Sequence, residues 1–275
     1  MDAGELEDVE ICLLLEGVQR IYGYDFRDYA DASIKRRLSH WLAESSFETF
    51  SQAQSGLLRD PQLFASLLRG ITVNVTEMFR DPVFFRAVRE QVVPFLKTYP
   101  FVKIWHAGCA TGEEAYSMAI VLNEEGMAGR YRMYATDIDE AVLQRAEEGV
   151  LPMAEMQAYT RNYQRSGGRA SFADYYTARY DRAILSERLR AGIVFAPHNL
   201  TSDAEFGEMN VVLCRNVMIY FKPALKERCL RLFDGSLLAG GFLCLGLKET
   251  LEGREVQRAY QELAPALRIY RKCYV

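Results

Sequence analysis

The stretch WHAGCATGEEAYS, Trp105 to Ser117, sets two glycines and two adjacent carboxylates directly after a short apolar run. A glycine turn lets the backbone come close to a ligand, and a phosphate-binding turn would follow its last glycine with Lys and then Ser or Thr. Here Glu113 and Glu114 follow Gly112 instead. Carboxylates in that position repel a pyrophosphate and suit an α-amino group or a set of hydroxyls. The next extended run, YATDID, carries Asp137 at the point where nucleotide-binding α/β domains place an acid to accept ribose hydroxyls. Asp139 has a plainer expected use, as the cap of the following helix. Gly108, Glu114 and Asp137 together point to adenosine carrying an amino acid rather than to a dinucleotide, and S-adenosylmethionine is such a ligand. Its ammonium gives the turn's glutamates a charge to neutralise, Glu114 ahead of Glu113.

These residues need strand ends to hold them. From Phe101 onward, FVKIWHA, YRMYATDID, GIVFAPHNL and MNVVLCRN read as strands, while GEEAYSMAIVLNEE, DEAVLQRAEEGV and KPALKERCLRLFDGSLLAGG read as helices. Alternation of this kind implies crossover units, a parallel sheet and helices on both faces, a doubly wound α/β domain. The Tyr- and Arg-rich segment from Met156 to Arg190 is too irregular for one crossover helix and reads as an insertion, with a hairpin expected near Gly167–Gly168 and another turn before Leu185. The first seventy or so residues read as helical. LEDVEICLLLEGVQRIYG places Val9, Leu13, Leu14, Val18 and Ile21 on one stripe and ends at Gly23. ASIKRRLSHWLAES turns Ile34, Leu38, Trp41 and Leu42 inward and sets Lys35, Arg36 and Arg37 as a positive face, and Asp60 and Pro61 start a further helix.

The whole chain bounds the answer. At 275 residues, 49% hydrophobic, it can bury a large core, and a net charge of -4 gives no general attraction to nucleic acid or anionic lipid. The six cysteines are scattered without a CxxC pair, as in a protein of a reducing compartment. No run approaches the roughly 20 apolar residues needed to span a bilayer, so the expected location is the cytoplasm. His40, His106 and His198 lack metal-ligand spacing, and no metal is expected.

NVTEMFRD (Asn74 to Asp81), GCATGEEAYS, ATDID, HNL (His198 to Leu200) and LCRNVMIYF, in this order, resemble the motifs of the CheR-type chemotaxis methyltransferases. The resemblance runs over nearly the whole chain. It implies a class I methyltransferase, Rossmann-like domain over 83–275 with a small β-subdomain inserted at about 160–192, an all-α N-terminal domain over 1–70 and a linker over 71–82. It implies that Asn74, Thr76 and Arg80 reach S-adenosylmethionine from the linker, that Glu114 and Asp137 serve its amino-acid and ribose parts, that Asn199 and Leu200 border the adenine, and that Arg215 and Asn216 form the rim. The acceptors it implies are glutamates on the cytoplasmic helices of a chemoreceptor, contacted through Lys35, Arg36 and Arg37. An opposing methylesterase is the implied pathway partner, and a monomer the implied state. Two departures stand out: Met78 replaces a common phenylalanine, and GLKETLEG replaces a His-Ser-Glu motif, so no role passes to Lys248 or Glu249.

The residues agree on mechanism. A glutamate acceptor, with an ordinary pKa near 4.3, is already an anionic nucleophile at neutral pH, so positioning and exclusion of water replace a general base. Arg80 could orient that carboxylate by a forked contact and Tyr220 could donate to it. Plainer uses are open for each: Arg80 pairing with Asp81, Tyr220 buried in an apolar run, His106 and His198 bonded to backbone, Cys109 and Cys214 as packing, and the Lys35–Arg37 charges as solvated surface. A methyltransferase of the same fold acting on another protein or a small molecule, and a cofactor-binding module without turnover, are the other functions open to this sequence.

Overall fold

A computed structural model describes residues 3–251 and 257–274 and divides the chain into two compact units. The helical unit runs to Val73 and also takes in Asn199–Asp203 and Tyr220–Cys229. Its helices are α1 (Ala3–Tyr22), α2 (Asp31–Glu44), α3 (Phe50–Leu57) and α4 (Pro61–Ile71). Gly23, at φ +79°, ends α1 where an L-residue would be strained. The Asp60 carboxylate accepts the Gln62 N–H and Pro61 occupies the first turn of α4. The buried stripe of α1 differs from the expected one. Ile11, Leu14, Leu15 and Val18 are buried, whereas Val9, Leu13 and Ile21 are 47%, 54% and 58% exposed. ICLLLEGV carries apolar residues around most of the helix, so periodicity cannot choose the face; packing against α3 does.

The second unit comprises Asn74–His198, Ala204–Ile219 and the chain from Leu230. Its strands are β1 (Val102–Ala107), β2 (Tyr131–Asp137), β3 (Val150–Pro152), β4 (Tyr176–Arg179), β5 (Arg182–Leu185), β6 (Ile193–Pro197), β7 (Met209–Cys214), β8 (Leu237–Leu245), β9 (Tyr260–Ala264) and β10 (Ile269–Lys272). Seven form the central sheet in the order β6-β2-β1-β7-β8-β10-β9. The pairs from β6 to β8 are parallel, and β10 runs antiparallel to both its neighbours. The doubly wound α/β reading therefore holds, with an antiparallel C-terminal edge that strand–helix alternation did not reveal. Every residue of β7 is buried, as in a strand covered on both faces. The helices of this unit are α5 (Pro82–Ala87), continued by a π-helical turn into α6 (Val93–Leu96), then α7 (Glu113–Glu124), α8 (Glu140–Glu148), α9 (Met156–Arg165) and α10 (Glu187–Arg190). The last helix of the chain, α11 (Pro223–Ser236), belongs to the helical unit up to Cys229 and to this one from Leu230; it stops five residues short of the expected Gly241, because Leu237 onward pairs with β7 as β8. Among the described residues no helix is long and apolar enough to cross a membrane.

The insertion is also redrawn. No hairpin forms at Gly167–Gly168; the glycines close α9, with Gly167 at φ +81° and its N–H returned to the Gln164 carbonyl. Gly168 lies against the Tyr163 ring, where an added Cβ would come within 2.2 Å. The hairpin joins β4 to β5 through Tyr180 and Asp181, and β3 completes a three-stranded sheet that begins at Val150 rather than near residue 160.

Candidate functional site

From β1 the chain steps to β2 on one side and later crosses to β7 on the other, so the strand order reverses between β1 and β7. Open α/β sheets bind ligands beyond the carboxyl ends of the strands at such a point. Gly108 follows β1 directly and Arg215 follows β7. Gly108 sits at φ +78°, and a Cβ there would lie 2.4 Å from Cγ2 of Val217, so the turns after β1 and β7 meet only because the position is glycine. Ala110 and Gly112 also have positive φ, and the N–H groups of Gly108 and Cys109 both donate to the Thr136 carbonyl. The turn is thereby stitched to the end of β2.

Asp137 completes that seam. One carboxylate oxygen accepts the Ala110 N–H at 2.9 Å and the other the Asp139 N–H at 3.1 Å. The Ile138 N–H also faces this carboxylate, and an ionised carboxylate has about four acceptor sites, so capacity remains for a ribose hydroxyl. Burial pushes the Asp137 carboxyl up, and these N–H bonds work against that shift. Asp139 caps α8 as expected, accepting the Ala141 N–H at 2.9 Å, and its second oxygen lies 3.4 Å from Asn74 Nδ2.

Glu114 does not wait as a free anion. Arg215 donates to it at 2.7 Å through one nitrogen and to Asp81 at 2.7 Å through another, while the guanidinium lies 3.9 Å from the Phe84 ring centroid. Burial works against the charged form of Glu114, yet the Arg215 charge holds its carboxyl below the ordinary range. Two carboxylates against one guanidinium leave one negative charge. His106 is buried with no hydrogen-bond partner at either ring nitrogen, and its Nδ1 lies 3.4 Å from the Glu114 oxygen that Arg215 does not hold. It makes no backbone bond, contrary to expectation, whereas His198 Nε2 lies 3.2 Å from the Ala204 carbonyl.

Arg80 does not pair with Asp81, whose carboxylate Arg215 holds; it donates to the Val75 carbonyl at 3.3 Å. Arg80 lines a cleft of about 810 Å³ with Asn74, Thr76, Thr111, Glu113 and Arg145. Glu113 is the turn glutamate on this cleft. It accepts from the Thr111 hydroxyl at 2.7 Å, and burial pushes its carboxyl up. Met78 is fully buried in the apolar cluster. Cys109 and Cys214 are buried, and burial, reinforced by Asp137, pushes the Cys109 thiol well up, which suits packing rather than attack.

Six further expected residues lie in the helical unit. Asn199 accepts both the N–H and the hydroxyl of Thr201 in a local turn, and Leu200 is buried. The Tyr220 ring lies 4.9 Å from the Arg37 guanidinium, and Arg37 also donates to the Ile71 carbonyl. Lys35 pairs with Asp8 at 2.6 Å, and of the three cations Arg36 is the most open to solvent. Lys35, Arg36 and Arg37 therefore form no single positive face, because successive helical residues point about 100° apart.

Glu249 is the residue the sequence left without a role. Buried after β8, it accepts the N–H groups of Gly246 at 2.6 Å, Asn216 at 3.0 Å and Val217 at 3.0 Å. Asn216 sits at φ +63°, so this carboxylate holds the rim turn in a left-handed conformation. Its only signal in the sequence is an acid close behind an apolar strand.

Comparison with known proteins follows the same division. The family model described as CheR methyltransferase, SAM binding domain, matches residues 74–265, and that described as CheR methyltransferase, all-alpha domain, matches residues 10–72. A Pseudomonas putida relative named as methyltransferase Cher3 is 48% identical over 96% of this chain and 97% of its own length. A chemotaxis protein methyltransferase of Listeria innocua is 29% identical over 85% of this chain and 87% of its own. The solved Geobacter sulfurreducens SAM-dependent methyltransferase in complex with S-adenosyl-L-homocysteine is 11% identical, with a TM-score of 0.35 over 67% of this chain and 56% of that one.

Proposed function

The chain belongs to the CheR methyltransferase family, and on that premise we propose that it methylates glutamate side chains of a bacterial chemoreceptor, forming methyl esters that a partner esterase removes. It is an S-adenosylmethionine-dependent methyltransferase, and S-adenosylhomocysteine is the product. The residues present fit that cofactor. Asp137 keeps acceptor capacity for the ribose, the glycine turn stands where the strand order reverses, and Glu114 with Asp81 leaves one negative charge for an ammonium.

S-adenosylmethionine supplies an electrophilic methyl group on a sulfonium sulfur. The protein's part is to bind and orient. Asp137 would hold the ribose, Asn74 and Thr76 would close the linker over the cofactor, and Arg80 would aim the acceptor carboxylate. The observation that carries the glutamate reading is Arg80. Its guanidinium lines the cleft with only a 3.3 Å bond to a backbone carbonyl, and a forked, charge-assisted contact to a carboxylate is what it can offer there. A carboxylate acceptor is ionised at neutral pH and needs no base. The test is incubation with a purified receptor cytoplasmic domain and labelled S-adenosylmethionine. Label released by mild base supports an ester, and label stable to it points to N- or C-methylation and removes the proposal.

A further inference from the structure

Glu249 lies outside every motif that marks the cofactor site, yet its bonds reach into that site. Both its oxygens are used as acceptors: one takes the N–H of Gly246 and Asn216, the other the N–H of Val217. The ionised form suits these bonds best, since it accepts at both oxygens and carries no hydrogen that needs an acceptor of its own. Burial pushes this carboxyl up, with backbone N–H groups opposing the shift. An apolar side chain would fill the same space without the cost of burying a charge. The carboxylate is therefore spent on the shape of the turn.

That shape reaches Gly108. Asn216 is held left-handed, and Val217, the next residue, presses its side chain into the space where a Cβ on Gly108 would stand. Arg215, the residue before, is aimed back at Glu114 and Asp81. Gly246 is glycine for the same reason: a Cβ there would lie 2.6 Å from Glu249 Oε2 and 2.8 Å from the Asn216 nitrogen. We propose that Glu249 is a positioning residue for the cofactor site, acting through the backbone of Asn216 and Val217 on the glycine turn at Gly108. The inference rests on the reading of that turn as the S-adenosylmethionine site.

Glu249→Gln keeps the shape and sets an amide N–H against the Val217 N–H, and Gly246→Ala forces the same contact apart from the other side. S-adenosylhomocysteine titration by calorimetry should show both variants about tenfold weaker, or about 1.4 kcal/mol, than the wild type. Lys248→Ala, exposed beside them, should bind like the wild type. In the methylation assay the KM for S-adenosylmethionine should rise while kcat at saturation stays within about threefold. A merely structural role would lower the melting temperature and leave the affinity of the folded protein unchanged. If both variants bind within about twofold of the wild type, the proposal fails. Should Glu249→Gln not fold, Gly246→Ala carries the test, together with amide exchange in the wild type, where product should slow the Gly246, Asn216 and Val217 amides together; unchanged exchange refutes it. Wild-type protein that does not bind product sinks the cofactor reading and this inference with it. Binding by wild type and variants alike sinks this inference alone.

Discussion

Gly108→Ala isolates the contact on which the cofactor turn depends. The backbone there is left-handed, at φ +78°, which costs an L-residue roughly 1–2 kcal/mol. The new Cβ would also stand 2.4 Å from Val217 Cγ2, inside any real carbon–carbon contact, and forced overpacking of this kind costs about 1–3 kcal/mol. The expected loss is about 2–5 kcal/mol, and Val217 or the turn must move to accommodate the methyl group. Gly126→Ala separates the two contributions. Gly126 has the same φ of +78° with nothing within 4 Å of an added Cβ, so strain alone, about 1–2 kcal/mol, is expected there. Urea unfolding of both variants, at unchanged slope, gives the two stabilities. S-adenosylhomocysteine titration gives the second readout: Gly126→Ala should bind as the wild type does, and Gly108→Ala should lose affinity. If Gly108→Ala is no less stable than Gly126→Ala, or binds product equally well, the close approach of the two turns is wrong.

Three further outcomes follow from charge. Arg215→Met leaves Glu114 and Asp81 facing each other without their cation and should cost about 3–5 kcal/mol, whereas Arg215→Met with Glu114→Gln should cost less than the sum of the singles, as urea melts of a double-mutant cycle would show. Because the folded carboxyl of Glu114 lies below its ordinary value, its contribution is present above that value and is lost as pH falls through the lower one; melting temperatures across that acid range should therefore fall less steeply for Glu114→Gln than for the wild type. On the helical unit, Arg36→Glu should lower receptor methylation about fivefold or more with product affinity unchanged, since an exposed charge acts on encounter with an acidic partner. An equal loss with a small acceptor would instead favour a different substrate class.

The local chemistry was legible before any fold was known. The glycine turn, Asp137 at the end of β2, Asp139 as a cap, Asp60 before Pro61 and the strand–helix alternation each depend on residues close together in the chain, where backbone geometry restricts the choices. Failures came where a choice needed a distant partner. Helix α1 has more apolar residues than one face can bury, and packing selected Ile11 and Leu15 over Val9 and Leu13. Gly167 and Gly168 signal a chain reversal, which a helix end and a hairpin satisfy equally well in sequence; the Tyr163 ring decided it. Lys35, Arg36 and Arg37 are adjacent in the chain, but α2 turns them apart and gives Lys35 to Asp8. By itself the sequence determined the fold class, the cofactor chemistry and the strand ends that carry it. Tertiary structure decided how the charges are used: Glu114 is matched by Arg215 from the end of β7, and Glu249 is bound to the turn after that strand. Both pairings are long-range, and no residue-type pattern records which buried carboxylate a folded backbone will meet.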